Sequence, residues 1–269
     1  MSSESLSSTT PSIPHLPPEL SDIIVDFLHD DEESLANCSL VCKDWLPVTR
    51  YHIFKNLLLD RWNVEEFVDM ITHPSATVAP YIHQLTIDQG KKPRYHHVFQ
   101  RAFLRLPRFN LLHELELRNV QWCNFPTGVV DSLISAFQRV ADVKLSNSAF
   151  GSPTHFMSIF TRFRHLKRMS ILQTQFSSLN DDPWFTNDSI PPIIQVLELG
   201  EIESTEIFDW FVSHRIPVIS LSVYTSVPIL SLNSYVQLLG PSLVYLAINT
   251  SPLHGGASRS VAFLTATFH

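Results

Sequence analysis

Glycine is scarce in this chain, 7 residues in 269. A phosphate-cradling turn between strand and helix needs several glycines close together, so neither a dinucleotide fingerprint nor a P-loop assembles. Cysteine is scarcer, 3 in all, an odd number that fits free thiols in a reducing compartment better than a disulfide framework. No apolar run approaches the roughly 20 residues that span a bilayer; stretches such as Ile23-Ile24-Val25 and VAFL from Val261 are far shorter. The opening MSSESLSSTTPSIPH carries neither a basic nor an apolar segment. It reads as a disordered lead-in over 1–13, not a signal peptide, which implies an intracellular protein, cytoplasmic or nuclear, with its Asn37, Asn187 and Asn249 sequons unused. Basic charge is also short, 19 Lys and Arg against 26 Asp and Glu for a net charge of −7, which argues against a protein built to hold a phosphate backbone.

Catalytic constellations are missing too. There is no G-x-S-x-G elbow and no H-E-x-x-H, and His113-Glu114-Leu115-Glu116 lacks the second histidine. The 13 histidines include none at zinc spacing from Cys38 and Cys42. Asp181-Asp182 precedes Pro183 and reads as a turn. The expectation is a chain without cofactor, metal or enzymatic activity. Two basic stretches, Lys91 to Arg108 and Arg162 to Arg168, are interleaved with aromatics. In the first, Arg101, Arg105 and Arg108 share the helix face opposite Phe99 and Phe103, so a solvated face is favoured, with an acidic or phosphorylated partner as the alternative.

What is present begins with a helical unit over 14–59. Pro17-Pro18 opens a helix whose Leu20, Ile23, Ile24, Phe27 and Leu28 share one face, with Glu19, Asp22 and Asp26 on the other. The acidic run Asp30 to Glu33 suits the positive end of a second helix. There Leu35, Cys38, Cys42 and Trp45 form a single stripe, which turns both sulfurs inward. Pro47 starts a further turn leading into NLLL, a strand or buried connector. A unit this short cannot bury all its apolar residues, so some of Leu16, Ile23, Leu40 and Val41 should form an exposed patch.

The residues LPPEL from Leu16, then Ile24 and Leu28, then CSLVCKDW and HIF, resemble an F-box in the form common among fungal proteins. The resemblance covers roughly forty residues and implies a three-helix module that docks an Skp1-type adaptor, and through it a cullin-RING ubiquitin ligase. By position it assigns Leu16, Pro17, Leu20, Ile23 and Ile24 to the adaptor-facing start, and Leu40, Val41, Cys42 and Trp45 to a second block, part core and part contact.

From residue 60 to 269 an aliphatic-x-x-aliphatic-x-aliphatic pattern returns: Ile82/Leu85/Ile87, Leu112/Leu115/Leu117, Val140/Val143/Leu145, Leu166/Met169/Ile171, Ile194/Leu197/Leu199, Ile216/Ile219/Leu221 and Leu243/Leu246/Ile248, with starts 22 to 30 residues apart. Helical segments such as YHHVFQRAFL and GVVDSLISAF lie between the copies. Strand plus helix at this period resembles leucine-rich repeats, each unit burying its apolar edge against its neighbours. The repeat family's asparagine is displaced: Val120, Ser148, Thr174 and Ile202 stand in its place, with Asn119 and Asn147 one position early, so a regular asparagine ladder is not expected. The competing architecture is a doubly wound sheet. The final VAFLTATFH begins like another helix and lacks the polar cap of a solenoid end, which leaves a truncated chain or a covering partner as alternatives.

The fold class is therefore α/β: an F-box-like unit over 14–59 followed by a leucine-rich-repeat-like α/β solenoid over 60–269. The expected function is substrate recognition for an SCF-type (Skp1-cullin-F-box) E3 ubiquitin ligase, with a protein target held on strand residues Glu116, Arg118, Lys144, Arg168 and Glu198. The alternative is a ligase-independent repeat scaffold.

Overall fold

The computed structural model describes residues 17–92, 95–176, 193–202, 205–224, 229–249 and 261–264. The lead-in over 1–13, Leu16, Asp181-Asp182 and Asn187 lie outside the described residues. The chain divides into two compact units, one ending at Ile53 and one beginning at Phe54.

The first unit holds α1 (Pro18–Asp26), α2 (Glu32–Cys38) and most of α3 (Leu46–Phe54). Proline at the first position of α1 costs no hydrogen bond, and the Pro17 carbonyl accepts from Leu20 and Ser21 N–H. Asp31 caps α2: its carboxylate accepts from the Ser34 backbone at 3.0 Å and the Ser34 hydroxyl at 2.6 Å. Those bonds hold the Asp31 carboxyl below its usual value. The second helix is shorter than its stripe predicts. The Ser39 hydroxyl bonds the Ala36 carbonyl, Leu40 and Val41 close three-residue turns onto Asn37 and Cys38, and Cys42 is extended. Cys42 is therefore exposed and not part of a buried stripe, while Cys38 is half-buried.

The second unit is mixed α/β, built on a parallel sheet. Its strands are β1 (Asn56–Leu59), β2 (Gln84–Asp88), β3 (Glu114–Arg118), β4 (Asp142–Ser146), β6 (Arg168–Leu172), β8 (Val196–Gly200), β9 (Ser220–Tyr224), β10 (Tyr245–Asn249) and β11 (Val261–Leu264). They lie side by side in chain order, all parallel except β11, which returns antiparallel to β10. VAFL is thus a strand, not the start of a helix. The described strand order never reverses, so the sheet has no switch point of the doubly wound kind. Between the strands run α4 (Val64–Thr72), α5 (His96–Phe103), α6 (Thr127–Ala136), α7 (Pro153–Phe160), α8 (Glu206–Ser213) and α9 (Ile229–Leu239).

The register puts Leu57, Leu85, Leu115, Val143, Met169, Leu197, Leu221 and Leu246 opposite one another, 24 to 30 residues apart. Two features of the pattern change. NLLL is the sheet's first strand, which moves the boundary between the units ahead of residue 59. The sixth copy is Val218/Leu221/Val223, because Ile219 lies at an exposed strand start while Val218 is buried. Strand alternation sends these residues into the core that the helices cover, and each fully buried Leu or Ile stabilises by about 1.5–3 kcal/mol.

After their strands, Asn119, Asn147, Gln173 and Glu201 all take φ near +50°, a left-handed conformation that asparagine tolerates best among side-chain-bearing residues. The Asn119 amide donates to Asp88 at 2.6 Å, the Asn147 amide donates to Asn119, and Gln173 donates to Glu201 at 2.6 Å. A side-chain ladder between units therefore exists, one residue earlier than the repeat family places it. Beyond it, β5 (Ala149–Phe150) pairs with β7 (Gln175–Phe176), and Trp122, Phe150 and Phe176 stack with centroids 5.5 and 5.9 Å apart.

Changing Asn147 to Val should cost about 2–3 kcal/mol, through left-handed strain plus the lost ladder bond. Asn147→Gly should cost only about 1 kcal/mol, since glycine meets no strain there. Phe150→Ala, which empties the middle of the aromatic stack, should cost about 3–5 kcal/mol. Urea unfolding of the three variants checks the order.

Candidate functional site

Two surfaces carry the residues that the sequence singles out. On α1 the buried positions are Ser21 and Val25, so the apolar stripe of Leu20, Ile23, Ile24 and Phe27 faces solvent. Phe27 is 83% exposed and Ile23 51%. Leu40 and Val41, in the turn that ends α2, are also exposed. Pro17 and Cys42 are exposed, and Trp45 is half-buried in a short 3-10 helix that packs against α1. Val25 and Leu35 are the fully buried apolar side chains among the described residues of this unit, which explains why the outward stripe finds no internal partner. The His52 ring nitrogen meets Asp26 at 2.8 Å and ties α3 to α1. The carboxylates Glu19, Asp22 and Asp26, on the other side of the helix, are exposed as well.

The second surface is the sheet face away from the helices. Strand register arranges it in three rows. The first is Gln84, Glu114, Asp142, Arg168, Val196 and Ser220; the second is Thr86, Glu116, Lys144, Ser170, Glu198 and Ser222; the third is Asp88, Arg118, Ser146, Leu172 and Gly200, with Tyr224 on β9 beside it. Glu116, Lys144 and Glu198 share the middle row, with Arg118 and Arg168 in the rows beside it. All five expected target-binding residues thus lie on one face.

Each cation on this face is already engaged. Arg118 grips Glu116 with two parallel bonds of 2.7 and 2.8 Å. Lys144 bonds Glu114, which also accepts from the Gln84 amide at 3.1 Å. Arg168 stands 3.5 Å from Asp142. Hydrogen bonds to Glu116 and Glu114 hold Arg118 and Lys144 above their ordinary pKa values. These half-exposed pairs contribute less than about 1 kcal/mol each. Glu198 makes no hydrogen bond or close ion pair with another described residue; Lys144 interacts with it only electrostatically. Toward β1 the face forms a shallow groove of about 280 Å3 lined by Leu58, Thr86, Glu114, Glu116 and Arg118.

In the first basic stretch Arg101 of α5 pairs with Glu65 of α4 at 2.6 Å, and Arg105, just past the end of α5, pairs with Asp69 of α4 at 2.7 Å. Among the described residues no three His, Cys, Asp or Glu side chains are grouped to hold a metal ion, and no helix is long and apolar enough to cross a membrane. Sequence reasoning missed Phe27 as an outward residue and the Leu172–Gly200–Tyr224 contact. The first carries no signal, since periodicity shows that residues share a face but not what that face meets. The second was legible as a lone glycine within a strand. In comparisons with known proteins, no family model matches the chain and no curated protein matches it.

Two histidines make the second unit sensitive to acid. His96 sits between the Gln89 and Asn124 side chains, and burial lowers its pKa. The His83 ring packs tilted against His113 with centroids 5.7 Å apart; burial lowers its pKa most, followed by the charges of His113 and Lys55. Folded, both stay neutral at a pH where the unfolded chain already binds protons, so stability falls as pH drops below about 6.5. Urea midpoints measured from pH 7.5 to 5 should decline over that interval, and the decline should shrink in His83→Gln with His96→Gln.

Proposed function

We propose that this protein is a substrate-recognition adaptor of an SCF-type ubiquitin ligase, with the first unit, which ends at Ile53, as an F-box-like docking module and the second unit as a leucine-rich-repeat-like solenoid that holds a target. The observation that carries the reading is the outward apolar stripe of α1. An amphipathic helix that turns Leu20, Ile23, Ile24 and Phe27 to solvent while burying Ser21 and Val25 is built to meet another protein. Leu40, 83% exposed, and Val41 supply apolar surface from the second block that the F-box resemblance assigns to the adaptor. Pro17, Leu20, Ile23, Ile24, Leu40, Val41, Cys42 and Trp45 are the proposed contacts within the described residues.

Support for the solenoid comes from strands that follow one another in order, a period of 24 to 30 residues and a side-chain ladder between units. The protein performs no bond chemistry in this reading. It raises the effective concentration of target lysines near a charged ubiquitin carrier, which acts as proximity catalysis.

The purified chain should co-elute with an Skp1-family protein. Ile23→Asp combined with Leu40→Asp should weaken that complex by about 100-fold or more, as losing a central apolar anchor does, with the melting of the second unit unchanged. An intact chain that forms no complex would remove the ligase reading and leave a repeat scaffold.

A further inference from the structure

The open face of the sheet is not uniform. On β3 and β4 it is a lattice of charges that satisfy one another, while Glu198 on β8 has no counter-ion in contact among the described residues. Its flanking residues in the same row are Ser170, which is buried, and Ser222, which is half-buried; neither carries a charge to meet the carboxylate. Two residues along the strand is Gly200, where a Cβ would lie 2.9 Å from the Leu172 side chain and 3.0 Å from Tyr224. Leu172 and Tyr224 therefore close over the glycine from both sides and make an apolar platform beside the free carboxylate.

A half-buried carboxylate next to an aliphatic and an aromatic side chain matches a side chain with an apolar stem and a cationic head. We infer that Glu198, Leu172 and Tyr224 form the anchoring subsite of the open face, and that it takes a lysine or arginine side chain from an extended segment of a protein target. The stem lies on Leu172 and Tyr224, and the head bonds the Glu198 carboxylate. Charge complementarity selects this occupant over an acidic one. The cations of the face are held by their own carboxylates, so an acidic or phosphorylated segment would have to break existing bonds, whereas a cation meets an acceptor that no described residue contacts and that only Lys144 influences from a distance. The pairs Glu116–Arg118, Glu114–Lys144 and Asp142–Arg168 then act as a charge-balanced border on β3, β4 and β6, beside the subsite on β8.

The inference rests on the target-holding role proposed for this unit, and its test involves no ligase component, so failure of adaptor docking leaves the outcome readable. The probe is a set of immobilised peptide pools with degenerate flanks and one fixed central residue: arginine, lysine, norleucine or glutamate. The purified full chain should be retained on the arginine and lysine pools at least about tenfold better than on the norleucine and glutamate pools. Glu198→Gln should remove that preference, and Glu198→Lys should invert it toward glutamate. Glu116→Gln, which touches only a paired charge, should preserve it. Equal retention on all four pools overturns the inference, as does an arginine preference that survives in Glu198→Gln. Matching melting curves for the variants establish that the readout is binding and not folding.

Discussion

Everything in the second unit depends on one constraint, the in-register pairing of parallel strands laid down in chain order. Because side chains alternate across a strand, a register that stacks Leu85, Leu115, Val143, Met169 and Leu197 in one row on the helix side forces Thr86, Glu116, Lys144, Ser170 and Glu198 into one row on the other. A slip of one residue would exchange the two rows and place three charges in the core. Core and open face are thus one fact seen from two sides. The left-handed residues at the strand ends hold the register from outside the sheet: Asn119 and Asn147 turn the chain where a strand must stop, and their side-chain amides donate to the preceding repeat while doing so.

The first unit obeys the opposite economy. It has too few residues to enclose its own apolar side chains, and what it encloses is Val25 and Leu35 together with small polar groups such as Ser21 and Thr49. The helix is oriented by those inward residues and by the His52–Asp26 contact, which leaves its larger side chains facing water. One unit therefore hides its apolar rows and presents polarity, whereas the other presents an apolar stripe beside a carboxylate face. The chain thus carries two chemically different surfaces, which is what the proposed adaptor role calls for.

Much of the second unit was legible in the sequence, because a period-two pattern repeated at near-regular spacing fixes both the strand and the row a residue belongs to. That is why Glu116, Arg118, Lys144, Arg168 and Glu198 fall on one face as expected. The errors are local and physical. Leu57 was not counted because β1 is a four-residue strand next to a helix. Ile216 and Ile219 fit the spacing as well as Val218 and Val223 do, and pairing with Leu197 and Leu199 decides between them. The side-chain ladder runs through Asp88, Asn119 and Asn147 and then Gln173 and Glu201, so it is not a regular asparagine ladder, and its left-handed backbone angles are not carried by the motif. Cys42 looked like the continuation of a helix because the stripe persists, but the Ser39 hydroxyl draws off the Ala36 carbonyl and the helix stops. On α1 the periodicity was right about the shared face and silent about its direction.

The central claim, that the outward stripe of α1 is a docking surface for an Skp1-type adaptor, is tested most directly by amide hydrogen exchange on the full chain with and without a purified Skp1-family protein. The account predicts slowed exchange confined to α1, α2 and the turn through Trp45, with the strands of the second unit unchanged. Unchanged exchange across Pro18–Trp45 in the presence of saturating adaptor, or protection that appears only in the sheet, would contradict it.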